Sequence, residues 1–502
     1  MNQSALPMLA SVDLGSNSFR LQICQNLNGQ PQVVDSIKEM VRLAAGLDEQ
    51  KNLDEASQQR ALACLSQFGE RLRGFSPDQV RAVATNTFRV AQNIGSFLPK
   101  AEAALGFPIE IVAGREEARL IYTGVVHTLP PNGRNMLVVD IGGGSTEFII
   151  GSQLQPLHTE SLPLGCVTYS LAFFRHNKIQ PQDFQTAITA ARAEIQRISK
   201  MYKRTGWEFA VGTSGSAKAI RDVLAAGAGN LEESITYAGM KKLAGRIAAA
   251  GSTKKARLEG LKAERTEVFA GGLAVMMAVF EELEVESMII TDAALRDGVF
   301  YDLIGRQLNE DLREQTVAQF QKRYHVSLSQ AQRVGETARL FFDSLSRNAD
   351  APTRQYWHHY IRWAAALHEI GTDIAYTAYH KHTAYILEQA DMPGFSRKDQ
   401  QLLSILTLGQ RGDVRKLLEP VGSNRLMWLA LFSLRLAVLF CRARLPLALP
   451  ADTRLHYEAK DANLVLQISG RWLEENPLTA GALAQEIGLW DKIGTRFVIS
   501  AQ

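Results

Sequence analysis

The spacing of apolar residues changes along the chain and predicts where strands and helices lie. Short apolar runs that predict strands occupy residues 80–84, 108–112, 209–211 and 288–291. Helical spacing covers residues 53–73, residues 96–105 and a segment that begins at Arg115. From about residue 308 to 445 the pattern is almost wholly helical. The sequence therefore predicts an α/β half followed by a helical region.

The last part of the chain returns to alternation after a Pro-rich break at residues 446–450. Apolar positions alternate at Leu455, Tyr457 and Ala459, and again at Leu464, Leu466 and Ile468. With a last strand predicted at residues 496–499, the tail is interpreted as a small α+β module. The most apolar run, residues 426–441, is interrupted by Arg435 and is short for a bilayer-spanning helix, so we expect a buried helix there.

Two segments of the α/β half have the same pattern of residues. The first is SVDLGSNSFRLQI, which contains Asp13, and the second is VVDIGGGSTEFII, which contains Asp140. Each predicts a short strand, an aspartate, a Gly-rich polar turn and a second strand. A single turn of this kind arises easily by chance, whereas two with matching flanks indicate two related α/β domains that face each other across a cleft.

The two turns have the composition of an anion site. Glycines and small hydroxyl residues let backbone N–H groups approach a phosphate without obstruction by side chains. The first turn supplies Gly15, Ser16, Asn17 and Ser18, and the second supplies Gly142, Gly143, Gly144 and Ser145. The alternative is a pair of ordinary β-hairpins with turn glycines, and the repetition favours the phosphate site.

Carboxylates next to these turns predict a metal site. Asp13 and Asp140 stand at the ends of their strands, where a carboxylate can hold Mg²⁺ against phosphate oxygens. In a tight hairpin Glu147 points back toward the same cleft. We therefore predict Asp140 and Glu147 as the metal ligands.

Composition limits the class of protein. A chain of 502 residues is too long for one hydrophobic core, and 46% hydrophobic with 21% charged residues is typical of a folded globular protein. A net charge of +3 gives no reason to expect a specific nucleic-acid partner. The four cysteines are far apart with no CxxC spacing, which argues against a zinc site and a disulfide framework. The first residues lack a signal-peptide pattern, so we expect a cytoplasmic protein without a membrane span.

Four motifs together resemble one known family. VDLGSNSFRL, GREEARLIYTGV, VVDIGGGSTEFIIG and VGTSGSAK are similar to the motifs of the exopolyphosphatase/guanosine pentaphosphate phosphohydrolase (Ppx/GppA) family, and the length is most like that of a long-form bacterial exopolyphosphatase. The resemblance implies two actin-like (ribonuclease-H-like) domains at residues 1–127 and 128–306. It also implies an all-α HD-like domain at residues 307–445 and the small α+β module at residues 446–502.

The resemblance also assigns roles to single residues. It implies that Glu117, rather than its neighbour Glu116, is the base that deprotonates the attacking water, although glutamates in the first turn of a helix are also favoured by the helix dipole. It implies that Arg89 and Arg265 contact phosphate. It places Cys166 at the phosphate site, where we expect its backbone N–H rather than its thiol to make the contact.

The helical region contains histidines that suggest a second metal site. His358, His359, His368, His380 and His382 are reminiscent of HD phosphohydrolases, but those enzymes need His-Asp where this chain has His368-Glu369. Structural or ligand-facing histidines are the preferred interpretation. Together with Arg411 and Arg415 they are candidates to line a track for a polyanion.

Taken with the resemblance, the sequence predicts an exopolyphosphatase that removes terminal phosphates from inorganic polyphosphate with Mg²⁺ or another divalent ion. A monovalent cation such as K⁺ and a homodimer are further expectations from the resemblance. The nearest alternative is the same chemistry on guanosine pentaphosphate, with the tetraphosphate as product. A sugar-kinase-like phosphotransferase and a non-catalytic sensor of alarmone or polyphosphate are less favoured interpretations.

Overall fold

The computed structural model describes residues 8–27, 30–129, 133–174, 179–227, 234–307, 311–446, 449–450, 453–458 and 463–501. Part of the predicted break at 446–450 (Leu447 and Ala448) and Ala459 of the predicted alternation lie outside these residues. The chain forms two compact units, residues 1–312 and 313–502. The finer division into four domains stays a prediction.

The described strands and helices follow the order that the apolar pattern predicts. The strands are β1 Met8–Leu14, β2 Phe19–Leu27, β3 Gln30–Glu39, β4 Val80–Ala84, β5 Ile109–Ile111, β6 Met136–Ile141, β7 Thr146–Gly151, β8 Pro156–Leu162, β9 Phe209–Thr213, β10 Ser234–Thr236, β11 Ser287–Ile290, β12 Arg454–Glu458, β13 Asn463–Ile468 and β14 Phe497–Ala501. The helices are α1 Glu55–Arg71, α2 Asn86–Val90, α3 Ile94–Leu105, α4 Gly114–Thr128, α5 Cys166–Phe173, α6 Pro181–Thr205, α7 Ser214–Gly227, α8 Tyr237–Ala250, α9 Phe269–Leu283, α10 Leu295–Gln307, α11 Leu312–Arg323, α12 Leu328–Leu345, α13 Ala351–Leu367, α14 Tyr379–Gln389, α15 Arg397–Gly409, α16 Leu418–Val421, α17 Arg425–Phe440, α18 Gly470–Glu475 and α19 Pro477–Asp491.

The first unit contains two sheets that share one arrangement of five strands, and the second sheet has β10 as an additional edge strand. The order is β3-β2-β1-β4-β5 in one sheet and β10-β11-β9-β6-β7-β8 in the other. In each, the strand that carries the repeated aspartate is antiparallel to the next strand and parallel to a later one, β4 or β9. Asp13 is therefore in register with Arg20, and Asp140 with Glu147. The internal repeat of the sequence is a repeat of the fold.

Two helices of the first unit cross at unusually short range. A Cβ on Gly298 of α10 would lie 1.7 Å from Leu120 O of α4, and a Cβ on Gly124 of α4 would lie 2.7 Å from Ala294 O. Only glycine allows backbones to approach so closely. This crossing fixes α4, whose first turn carries Glu116 and Glu117, against the helix that follows the second sheet.

The second unit packs helices around one apolar core, which also includes β12, β13 and β14. One helical segment, Arg425–Ala443, is long and apolar enough to cross a membrane by composition, with a mean hydropathy of 1.8. However, 72% of it is buried within the unit, and Phe432 of α17 packs its ring against Trp490 of α19. α17 is therefore a buried core helix. The sequence analysis predicts this because Arg435 interrupts the apolar run.

Candidate active site

The two glycine turns touch each other. A Cβ on Gly143 would lie 2.9 Å from Ser16 Cβ, and a Cβ on Gly144 would lie 3.4 Å from Ser16 Oγ. The turns are also built alike, because a Cβ on Gly15 or on Gly142 would lie 3.1 Å from the carbonyl oxygen of the serine that closes its turn. The predicted convergence of the repeated turns is confirmed.

Backbone donors from neighbouring segments bind the carbonyl groups of both turns. Ala44 N–H donates to Ser16 O (2.9 Å) and Arg42 N–H to Asn17 O (2.8 Å). In the second turn Cys166 N–H donates to Gly142 O and Val167 N–H to Gly143 O, both at 2.9 Å. In a trans peptide the N–H points opposite to the C=O. The N–H groups that follow these carbonyls therefore point away from the flanking segments, as an anion cradle requires.

Glu117 lies in the first turn of α4 and is 7% exposed. Its Oε2 accepts a hydrogen bond from Arg89 Nη1 at 2.7 Å, and the same Nη1 donates to Val112 O at 3.0 Å. Arg89 is itself held by the short helix α2 beside β4. The carboxylate is thus fixed in direction by a guanidinium that is anchored on the backbone.

Glu116 has a different environment from its neighbour. Its carboxylate pairs with Arg119 (Nη2 to Oε1, 2.8 Å), and Arg119 also pairs with Asp302 of α10 at 2.6 Å. Asp302 in turn binds Arg81 of β4 at 2.6 Å. Glu116 therefore belongs to a buried ion-pair network, while Glu117 faces the cleft.

Several carboxyl groups lie close together beside the turns, and their burial and proximity raise the pKa values of three of them. Burial, and next the charge of Glu117, raises the pKa of Asp13 to about 7, and the same two causes raise the pKa of Asp140 to about 7. Burial, with the charges of Glu117 and Asp140, also raises the pKa of Glu147 well above its ordinary value. Four acidic groups thus share a buried region in which a cation would be favourable.

A cleft of about 480 Å³ opens onto this cluster. Of the residues predicted for the site, those that line it are Gly15, Ser16, Asn17, Ser18, Glu117, Asp140, Gly143, Ser145, Cys166 and Arg265. Arg89, Gly144 and Glu147 do not line it. Arg89 is occupied by Glu117, and Glu147 Oε1 accepts a hydrogen bond from Ser161 Oγ at 2.8 Å.

One predicted contact is wrong. The Cys166 backbone N–H is already bound to Gly142 O, so it is not free for phosphate. The residue still lines the cleft, and burial raises the pKa of its thiol, which argues against a nucleophilic thiolate. The backbone N–H of Cys166 holds the second turn in place through its hydrogen bond to Gly142 O.

The cleft also has a basic wall that the sequence did not predict. It is formed by Arg20, Lys38, Lys218, Arg221, Lys262 and Arg296. Some of these are neutralised, because Lys38 pairs with Glu264 at 3.1 Å and Lys218 pairs with Asp292 at 2.7 Å. Arg265 lies directly against Gly215, where an added Cβ would be 1.5 Å from its Nη2. Arg20 and Lys218 stand inside the quoted motifs, but Lys38 and Lys262 come from segments with no motif, and only the fold brings them together.

The donor chemistry of the cluster fits a hard divalent cation. Carboxylate oxygens are the ligands that Mg²⁺ prefers, and burial together with the charge of Glu117 makes the ionised forms of Asp13 and Asp140 unfavourable, which a bound cation would relieve. Among the described residues, no three acidic, histidine or cysteine side chains already converge as a metal site. The arrangement therefore fits an ion held by one or two carboxylates and by oxygens of the substrate and water, as Mg²⁺ commonly is.

Comparison with protein families gives two adjacent matches. The Ppx/GppA phosphatase family matches residues 22–307, and domain III of the Ppx/GppA phosphatases matches residues 312–487. Two relatives match nearly the whole chain. A guanosine-5'-triphosphate,3'-diphosphate pyrophosphatase of Aeromonas hydrophila is 37% identical over 97% of this chain and 98% of its own. The protein of the same name from Pseudoalteromonas translucida is 38% identical over 98% of both chains.

Solved structures match the α/β fold. A Ppx/GppA family member from Aquifex aeolicus aligns with a TM-score of 0.50 and 25% identity, over 60% of this chain and 98% of that one. An exopolyphosphatase from Cytophaga hutchinsonii aligns with a TM-score of 0.54 and 22% identity, over 59% of this chain and 98% of that one. The second likeness bears on the fold alone.

Proposed function

Because the chain belongs to the Ppx/GppA phosphatase family, with an actin-like α/β part and a helical C-terminal region, we propose that it removes the terminal phosphate of guanosine pentaphosphate. The coarser activity, hydrolysis of phosphoanhydride bonds, is that of the family. The finer choice of substrate is supported by relatives that carry the pyrophosphatase name over nearly their whole length. These relatives favour guanosine pentaphosphate. The sequence analysis instead predicts polyphosphate, with guanosine pentaphosphate as the alternative.

The contact of the two glycine turns beside the buried Glu117 is the observation that carries the chemistry. The N–H groups of Asn17, Ser18 and Gly143 hold the oxygens of the terminal phosphate and keep it in one orientation. Hydrolysis of a phosphoanhydride depends mainly on such positioning and on neutralisation of charge, so a covalent nucleophile is not required.

Glu117 takes the proton from the attacking water. Arg89 holds its carboxylate at 2.7 Å and limits the directions in which it can accept that proton. Arg265 and the basic wall bind the remaining phosphate groups, because a guanidinium can meet two phosphate oxygens at once. The 5'-triphosphate and 3'-diphosphate of the proposed substrate place negative charge at two ends of a compact molecule, which suits a cleft with a basic wall.

Asp140 and Asp13 would hold Mg²⁺ at the turns, and a bound ion would supply charge neutralisation for the phosphate oxygens. Glu147, predicted as the second ligand, lies opposite Asp140 in the register of β6 and β7, and its carboxylate accepts a hydrogen bond from Ser161. A requirement for K⁺, a homodimer, the HD-like fold of the helical part and a cytoplasmic location are further parts of this proposal that rest on the resemblance.

Phosphate release from guanosine pentaphosphate and from long polyphosphate, measured side by side with and without Mg²⁺, tests the proposal. We expect a higher kcat/KM for the nucleotide and loss of release on both substrates after removal of Mg²⁺. A preference for polyphosphate would instead support the exopolyphosphatase activity that the sequence predicts. Phosphorylation of an added acceptor by ATP would point to a sugar-kinase-like enzyme.

A further inference from the structure

The short helix α2, Asn86–Val90, contacts both glycine turns of the candidate active site. Thr87 Oγ1 donates a hydrogen bond to Ser16 Oγ of the first turn at 2.8 Å. Asn86 packs on the second turn, because a Cβ on Gly144 would lie 2.5 Å from its Oδ1. The same helix also carries the arginine that binds the proposed base. One turn of helix therefore supports most of the site, although the roles predicted from the sequence include only its arginine.

Thr87 and Ser16 are both buried, but only Ser16 reaches the cleft. Thr87 is 1% exposed and is not among the residues that line the cleft, whereas Ser16 lines it. Thr87 is therefore out of reach of a phosphate bound in the cleft. Any effect of Thr87 on such a ligand passes through the hydroxyl group of Ser16.

The direction of this hydrogen bond decides what the Ser16 hydroxyl can do. A hydroxyl group donates one hydrogen and accepts with its lone pairs. Thr87 is the donor and Ser16 the acceptor, so the hydrogen of Ser16 is not used in this contact. Within the described ranges, Ser16 Oγ donates to no other protein group. The O–H of Ser16 is thus available to an oxygen of a ligand in the cleft.

The main chain around Ser16 is fixed as well. Its carbonyl oxygen accepts from Ala44 N–H at 2.9 Å, and a Cβ on Gly143 would lie 2.9 Å from its own Cβ. Rotation about χ1 is the freedom that remains to such a side chain. The hydrogen bond from Thr87 selects one rotamer, so the hydroxyl is oriented before a ligand binds.

We propose that Thr87 is a positioning residue, which fixes the rotamer of Ser16 so that the Ser16 hydroxyl donates to an oxygen of the terminal phosphate. The inference rests on the proposed function, because it needs a phosphate between the turns. It is the same for guanosine pentaphosphate and for polyphosphate, since both end in such a group. Thr87 thereby joins the binding of phosphate to the helix that also orients the base.

This role predicts a specific change in the kinetic constants. A phosphate oxygen is charged both in the bound substrate and in the transition state, so a contact to it stabilises both alike. Loss of the contact raises KM and leaves kcat nearly unchanged. If Thr87 only kept α2 in shape, its loss would displace Arg89 and with it Glu117, and kcat would fall.

The experiment compares Thr87→Val, which keeps the shape of the side chain but removes the donor, with Thr87→Ser, which keeps the donor. Phosphate release is measured with guanosine pentaphosphate, or with long polyphosphate if the wild-type protein hydrolyses only that. We expect Thr87→Val to raise KM about five- to tenfold, the effect of one hydrogen bond, with kcat within about twofold of the wild-type value. Thr87→Ser should recover most of the loss.

The matched control is Thr316→Val in the second unit. Thr316 is also 1% exposed, and its hydroxyl donates to Pro393 O at 2.7 Å. This variant removes an equally buried hydroxyl and should leave both kinetic constants unchanged. A second variant without the donor, Thr87→Ala, carries the comparison if Thr87→Val does not fold.

Ser16→Ala shows whether the two hydroxyl groups act as one unit. If Thr87 acts through Ser16, Thr87→Val causes no further rise of KM in a protein that already has Ser16→Ala. Additive losses in the double variant would overturn the inference. So would an unchanged KM in Thr87→Val, or a fall in kcat as large as that of Arg89→Gln.

Calorimetric binding of pyrophosphate, with Mg²⁺ withheld, repeats the comparison without turnover. Sites elsewhere contribute equally to all variants, so the differences report the cleft. We expect Thr87→Val, Ser16→Ala and the double variant to lose the same part of the affinity, and Thr87→Ser to keep it. Equal affinity of all these proteins would refute the role of Thr87. Absence of phosphate release by the wild-type protein from either substrate would instead refute the proposed function, and the binding comparison would still decide the role of Thr87.

Discussion

Arg89 and Glu117 form an ion pair of 2.7 Å in which the glutamate faces the cleft and the arginine does not. The family resemblance implies that Arg89 binds phosphate directly, yet its guanidinium is divided between Glu117 and Val112 O. In this arrangement Arg89 affects the reaction indirectly, because it orients the carboxylate of Glu117. Its loss should therefore affect turnover more than substrate affinity.

Arg89→Gln should lower kcat about 10- to 100-fold with little change in KM, since it frees the proposed base to rotate. Arg89→Lys should recover part of the loss because it keeps a charge near Glu117. The matched control is Arg115→Gln. Arg115 is on the same helix as Glu117, but it is exposed and pairs with Glu160 of β8. A large rise in KM with unchanged kcat would instead assign Arg89 to phosphate binding.

Gly165→Ala should disrupt the second glycine turn. A Cβ there would lie 2.1 Å from Gly143 O, so the turn must move away from the start of α5. We expect a loss of about 1–3 kcal/mol in the free energy of unfolding and a clear rise in KM. Gly245→Ala is the control, because a Cβ on this helical glycine meets nothing within 4 Å. Equal kinetics for the two variants would show that the position of the turn is unimportant.

Glu116→Gln should lower stability and leave the chemical step nearly intact. The substitution weakens the buried network of Arg119 and Asp302, and breaking a buried ion pair costs about 3–5 kcal/mol. Chemical denaturation and steady-state kinetics on the same preparation separate the two effects. A loss of kcat without a loss of stability would contradict the division of roles between Glu116 and Glu117.

The stability that Asp13 and Asp140 contribute to the metal-free protein should fall as the pH rises from about 4 to about 7, which is measured as the difference between the wild-type protein and Asp140→Asn. Asp13 and Asp140 have pKa values raised to about 7, so between those limits the folded protein binds more protons than the unfolded chain, and deprotonation favours unfolding. Mg²⁺ should raise the melting temperature at a pH of about 7.5 and have a smaller effect at a pH of about 5, where protons compete for the carboxylates. Asp140→Asn should flatten both dependences, and an unchanged response to Mg²⁺ in this variant would remove Asp140 from the ion site.

Much of the first unit can be predicted because its sequence is repeated. The strand predicted at residues 80–84 is β4, and the turns of Gly15 and Gly142 meet as their symmetry requires. Prediction is weaker where a residue's role depends on its neighbours in space. Nothing in the sequence shows that Gly142 O occupies the Cys166 N–H, or that Lys38 and Lys262 reach the cleft from segments without a motif.

Glu117 is proposed as the base of a site for guanosine pentaphosphate. Its most direct test is phosphate release from this nucleotide by purified wild-type protein and by Glu117→Gln, with nucleotide affinity measured on both proteins in the presence of Mg²⁺. We expect the variant to bind with similar affinity and to release phosphate at least about a hundredfold more slowly. Wild-type turnover by the variant, or no turnover of the nucleotide by the wild-type protein, would contradict it.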